Sequence, residues 1–210
     1  MRNQPQAAAS ARAHDRAEAT RRHILDVAAR AFAHGGYAGT SLNDLIRESG
    51  VTKGGFYFHF PSKEALALAV VREKQEQWAE EVMAAAGRHE AAIDRLAAMP
   101  AALVDLYEAD PAARAVPRLT VELAEDARLA PDMRPMLRMW VDLTASVIRS
   151  AQEEGAIRDD VDATAAAEGA VGAFLGLEQM AAVDPGEGDL RRRVERFASL
   201  YLMLLRPPDP

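Results

Sequence analysis

The stretch from Thr40 to Lys63 admits few conformations. Thr40 or Ser41 is placed to cap a helix that carries Leu42, Leu45 and Ile46, and Gly50 is placed to stop it. Val51 then turns the chain into a second short helix. Phe56 and Phe60 are four residues apart there and share one face, while Lys53, Gly54 and Tyr57 fall on the other. Pro61 ends that helix, because the residue before a proline is pushed out of the α region. Ser62 suits the cap of the next helix and Glu64 its first turn.

A helix, a glycine turn and a second helix form the helix-turn-helix arrangement, whose second helix enters the major groove of DNA. The outward face has the chemistry for that. Lys53 can donate to guanine O6 and N7, and Gly54 and Gly55 let the backbone come close. Tyr57, His59 and Lys63 are donor types that hold phosphates.

The remaining apolar pattern is helical throughout. Arg16–His34 carries Ile24, Val27, Ala28, Ala31 and Phe32 at helical spacing, with Gly35 and Gly36 ending it. Further helices are expected over 62–86 and 90–109, the latter interrupted or kinked near Pro100. Pro117 bends or delays the helix that follows, and Pro131 and Pro135 bracket the entry to one over 136–154. Two more are expected over 163–183 and 190–205. No strand pattern is present, so the expected class is all-α. Residues 1–15 have little to bury and are expected to be a disordered arm. The expected division is an arm over 1–15, a three-helix DNA-binding domain over 16–61, and a ligand-binding and dimerisation domain over 62–210.

The net charge of −7 is unevenly distributed. Residues 1–60 hold eight Lys/Arg against five Asp/Glu, and residues 61–210 hold seventeen against twenty-seven. A basic head on an acidic body binds DNA in one orientation only. Cysteine is absent, which excludes disulfides and thiolate metal sites. No apolar stretch reaches a bilayer span and no secretion pattern opens the chain, so a cytoplasmic protein with no membrane partner is expected. Catalytic signatures are missing, and the expectation is no enzyme, no cofactor and no metal. Asp159, Asp160 and Asp162 read as helix capping rather than a cation site.

The segments TSLNDLI, SGVTKGGFYFHF and SKEAL together resemble the DNA-binding domain of the TetR family of transcriptional repressors, over about Ala17 to Leu68. The form GVTKG-x-x-YFHF-PSKE-x-LA is most similar to the γ-butyrolactone receptor subgroup of antibiotic-producing actinobacteria. The resemblance implies a homodimeric repressor that releases its operator when a small apolar signal binds. In this chain it implies base contacts from Lys53 and Gly54, and backbone contacts from Thr20, Thr40, Ser41, Thr52, Tyr57, His59 and Lys63. It implies a ligand contact from Trp140, after a proline-rich entry. Tyr107, Met136, Thr144 and Gln179 are further candidates, as polar or adaptable groups on apolar faces. Gly169, Gly172 and Gly176 each cost a helix on the order of 1 kcal/mol relative to alanine, so close helix approach at a dimer seam or beside a cavity should offset them. The expected seam uses helices 163–183 and 190–205. Two other readings stay open: a TetR-like sensor of an antibiotic or metabolic intermediate, and a helical scaffold that does not bind DNA.

Overall fold

The computed structural model describes residues 4–184 and 190–208, without the side chains of residues 4–11 and Pro111. The described residues form nine α-helices, one 3-10 turn and no strand. In order they are α1 (Gln4–Gly39), α2 (Leu42–Ser49), α3 (Lys53–His59), α4 (Lys63–Ala86), α5 (Ala92–Ala109), the 3-10 turn Pro111–Arg114, α6 (Ala115–Ala124), α7 (Ala130–Glu153), α8 (Ala163–Val183) and α9 (Leu190–Leu205). The all-α expectation holds, and no helix is long and apolar enough to cross a membrane.

The chain forms two compact units, one of residues 1–74 with 111–126, the other of 75–110 with 127–210. In the first, Ile24, Leu25, Val27, Ala28 and Phe32 line the buried side of α1. Leu45, Phe56 and Phe60 supply the buried positions of α2 and its surroundings, Leu66 and Val70 those of early α4. Helix α1 packs on α2 and also on α6, which buries Leu119 and Leu123. In the second unit α7 packs between α5 and α8, and α9 lies against α5 and α8. Its core includes Val82, Leu96, Met99, Val141, Ile148 and Ile157. Helix α4 contributes Lys63–Lys74 to the first unit and Gln75–Ala86 to the second.

Several boundaries follow from single residues. Gly36 breaks α1 with φ at 69°, a left-handed conformation that glycine alone adopts without strain. Gly50 stops α2 at φ 64° and returns its N–H to Arg47 O. Asp162 caps α8, its carboxylate accepting from Thr164 N at 2.8 Å and Ala165 N at 3.1 Å. That is the capping role expected of the acidic run.

Three expectations differ. The helix begins at Gln4, inside the stretch read as an arm. The alanine that leaves this stretch nothing to bury also gives it high helix propensity. Helix α5 runs unbroken past Pro100. Helix α7 starts at Ala130 rather than Met136, with Pro131 in its first turn, where a missing N–H is best tolerated, and Pro135 inside the helix.

Candidate functional site

Helix α3 is set by its caps. Thr52 Oγ1 accepts from Gly55 N at 3.2 Å at one end, and Phe60 N donates to Phe56 O at 2.9 Å at the other. Phe56 and Phe60 are buried with ring centroids 6.4 Å apart, as their spacing required. The opposite side is open. Lys53, Gly54 and Tyr57 are exposed, and a Cβ at Gly54 would meet no atom within 4 Å. The packing of the fold therefore does not require glycine at that position. At Gly55 a Cβ would lie 3.0 Å from Val51 Cγ1, so that glycine serves the turn's own packing.

The hydroxyl candidates divide. Ser41 and Thr52 are exposed N-caps of α2 and α3. Ser41 Oγ also donates to Asp44 Oδ2 at 2.5 Å, and Asp44 pairs with Arg47. These bonds, Ser41 first, hold the Asp44 carboxyl below the ordinary aspartate range. Thr52 accepts a backbone bond and keeps its own proton for a second acceptor such as phosphate. Thr20 is half-buried and donates back to Arg16 O at 2.9 Å. His59 is half-buried in the last turn of α3, edge-on to Phe58 with centroids 5.1 Å apart.

Two candidates, Thr40 and Lys63, are turned inward. Thr40 is buried, and its hydroxyl donates to Gly36 O at 2.7 Å. It pins the turn after the α1 break. Lys63 is turned inward as well. Its Nζ donates to Tyr37 O at 2.9 Å and Thr40 O at 3.0 Å, and lies 4.1 Å from the centroid of the Tyr37 ring. A charged donor shared by two carbonyls and an aromatic face is a structural tie between the start of α4 and the end of α1.

The Tyr37 backbone is gripped from another side. Glu122 on α6 accepts from Tyr37 N at 2.5 Å and from Arg118 Nε at 2.9 Å. Arg118 Nη1 in turn donates to Ala33 O and His34 O at 3.2 and 3.1 Å, the carbonyls left open where α1 breaks. Sequence reading missed this grip, because its partners lie about 85 residues apart. It also missed Phe58, which is 79% exposed on the reading helix. Its place midway between Phe56 and Phe60 was the available signal, since two residues along a helix turn a side chain to the far face.

In the second unit the ligand candidates are also sorted. Tyr107, Met136 and Thr144 are buried and Trp140 is half-buried. Met136, Trp140 and Thr144 repeat every four residues on α7. Tyr107 meets Phe174 of α8 edge-on at 6.1 Å. Gln179 is exposed on α8 and does not line the interior of its own unit. It sits one position, about 100° of helix, past the half-buried Glu178. The glycines of α8 also face outward, and a Cβ at Gly169, Gly172 or Gly176 would meet nothing within 4 Å. No group of three or more His, Asp or Glu positioned to hold a metal exists among the described residues.

The family described as "Bacterial regulatory proteins, tetR family" matches residues 24–70. The chain is 31% identical over 186 residues to the A-factor receptor protein of Streptomyces griseus, covering 85% of this chain. It spans only 61% of that relative's length. Among solved structures, native tylp, a tetr regulator from Streptomyces fradiae, is 30% identical with a TM-score of 0.73, over 92% of this chain and 89% of that one. A γ-butyrolactone receptor described as ArpA-like is 27% identical with a TM-score of 0.64, over 90% and 97% of the two chains.

Proposed function

The chain belongs to the TetR family of bacterial regulatory proteins, and from that premise we propose that it is a homodimeric repressor released from its operator by a small apolar signal. The observation that carries the reading is the outward face of α3. Lys53, Gly54 and Tyr57 stand exposed on a helix fixed by buried Phe56 and Phe60, in the basic part of an acidic chain. Lys53 and Gly54 read bases. Thr52, Ser41, Tyr57 and His59 hold the DNA backbone, and Thr20 joins them if its hydroxyl turns away from Arg16. Thr40 and Lys63 hold the head in shape.

Two heads dock in successive major grooves, about 34 Å apart. The exposed apolar residues Met180, Val183, Leu200, Met203 and Leu204 on α8 and α9, with the outward glycines of α8, support a seam between two copies there. By similarity to the A-factor receptor and a γ-butyrolactone receptor, the signal is of γ-butyrolactone, butenolide or furan type. Trp140, Tyr107, Met136 and Thr144 are its proposed contacts. The signal acts by binding one conformation better than the other, and α4 is the helix that belongs to both units. A DNA-binding regulator of this kind works in the cytoplasm. No catalytic step is involved.

The test is operator binding in a gel shift, with salt varied and with candidate signals added. Steep loss of affinity with salt and release by a lactone or furan are expected. Indifference to every duplex, including the region upstream of its own gene, would refute DNA regulation. Release by antibiotics alone would replace the lactone with another signal.

A further inference from the structure

Helix α1 starts well before the residues through which it packs. The first buried side chain described on it is Ile24, and Arg12, Ala13, His14, Asp15 and Arg16 are all exposed. Helices in proteins are mostly held by one face packed on a core, and residues 12–16 have no such face. From Gln4 to Arg16 the helix nevertheless continues, over about 20 Å.

The orientation of this extension is fixed further down. His23 Nε2 lies 3.0 Å from Ser49 O, the carbonyl that closes α2 just before the turn into α3. At 100° per residue, Arg12, Arg16 and His23 fall within about 40° of one another around α1. The side of α1 that meets the helix-turn-helix turn therefore carries Arg16 about 10 Å, and Arg12 about 16 Å, further toward its start.

The charges are sorted around the helix. Asp15 and Glu18 lie on the flank with Arg22, and Glu18 is four residues before it, the spacing of a helical ion pair. Arg21 is engaged by Glu73 of α4 and by the Phe60 ring, whose centroid is 5.2 Å from its Cζ. Arg12 and Arg16 stand one turn apart on the same side, a like-charge spacing that weakens a helix on its own. An anionic partner lying along that side offsets the repulsion.

We infer that the start of α1 is a phosphate-binding arm, in which Arg12 and Arg16 donate to backbone phosphates of the duplex beside the groove read by α3. The inference rests on the DNA-binding reading above and extends it to a helix face outside the helix-turn-helix. Guanidinium groups hold phosphates through paired N–H donors, and such contacts add affinity without reading sequence.

The experiment uses the full chain and duplex from the region upstream of its own gene, with affinity measured by fluorescence anisotropy over a range of salt. Arg12→Gln with Arg16→Gln should lower the salt slope by about 3–4, at about 0.9 for each of four phosphates in a dimer. Affinity at low salt should fall at least tenfold. The ranking of single-base operator variants and the melting temperature should not move, because both side chains are exposed and touch no base. Arg12→Lys with Arg16→Lys should restore the slope, since charge sets it. An unchanged slope in the glutamine variant overturns the arm and leaves the DNA-binding reading standing. A changed ranking of base variants overturns the phosphate assignment. A dimer weakened in sedimentation velocity, with the slope unchanged, assigns the arginines to the acidic body of the second copy and overturns it as well. A natural chain that binds no duplex refutes the repressor reading and the arm with it.

Discussion

Lys63 holds Tyr37 from two directions, its Nζ donating to the Tyr37 carbonyl at 2.9 Å and lying 4.1 Å from the ring centroid. Glu122 takes the N–H of the same residue. The backbone of Tyr37 is thus tied to α4 by its carbonyl and to α6 by its amide. Removing the charge should therefore weaken the fold before it weakens any phosphate contact. Lys63→Met should lower stability by about 2 kcal/mol, the range for hydrogen bonds to charged groups, as read by thermal or urea denaturation. Operator affinity should fall on all sequences alike, through a displaced head.

Lys53 supplies the contrast. It is exposed at the start of α3 and makes no internal bond that the fold depends on. Lys53→Ala should leave the melting temperature unchanged, cost about 1–3 kcal/mol on the operator, and relax base choice at one position. Binding to a set of single-base operator variants reads this directly. Unchanged discrimination across that set would remove Lys53 from base reading.

Gly36 and Gly50 both have positive φ, but only one is enclosed. A Cβ at Gly36 would lie 2.5 Å from Glu122 Oε1 and 2.6 Å from Arg118 Nη2. Around Gly50 nothing lies within 4 Å. Gly50→Ala should cost about 1–2 kcal/mol, the left-handed penalty alone. Gly36→Ala should cost more, because Glu122 and Arg118 must also give way. Equilibrium denaturation of the two variants ranks them, and equal losses would show that the α6 grip yields freely.

Glu64 sets an acid limit near the head. Its own backbone N–H, then Ser62, then Tyr37 stabilise the carboxylate and hold its pKa below the ordinary 4.5, against opposing burial. A lowered folded-state pKa means stability that is complete above the unfolded value. It is lost as pH falls from about 4.5 through the lower folded value. Glu64→Gln should flatten that part of the stability–pH curve while leaving neutral-pH function intact. Denaturation midpoints between pH 3 and pH 6 test it; an unchanged slope would assign the acid limit to other carboxylates.

Met203 is 71% exposed on α9, on the proposed seam. Met203→Glu should leave the protomer folded and raise the dimer dissociation constant at least tenfold, because an unpaired charge would be buried between copies. Sedimentation velocity gives the answer. A dimer of unchanged strength would place the seam elsewhere.

Much of the fold was legible from local pattern. Phe56 and Phe60 at helical spacing, Gly50 after Ile46, Pro61 before Ser62, and Asp162 before Ala163 each limit a helix through contacts within a turn or two. The limits of α8 and α9 could be read to the residue for that reason. Helix α7 could not, because a proline near an N-terminus looks like a proline in a loop until the helix is seen.

The sequence alone determined that this chain is helical, that its reading helix shows Lys53, Gly54 and Tyr57 on one side, and which family it resembles, because those properties depend on spacing of a few residues. Tertiary structure decided where long and polar side chains point. Lys63 and Thr40 turned inward to carbonyls of the α1 break, Gln179 turned outward, and Gln75 was buried with an unpaired oxygen. A donor satisfies whichever acceptor the fold brings within about 3 Å, and that acceptor can lie anywhere in the chain. The partners of Tyr37 on α4 and α6, and of Gln75 on α7, were brought close only by packing.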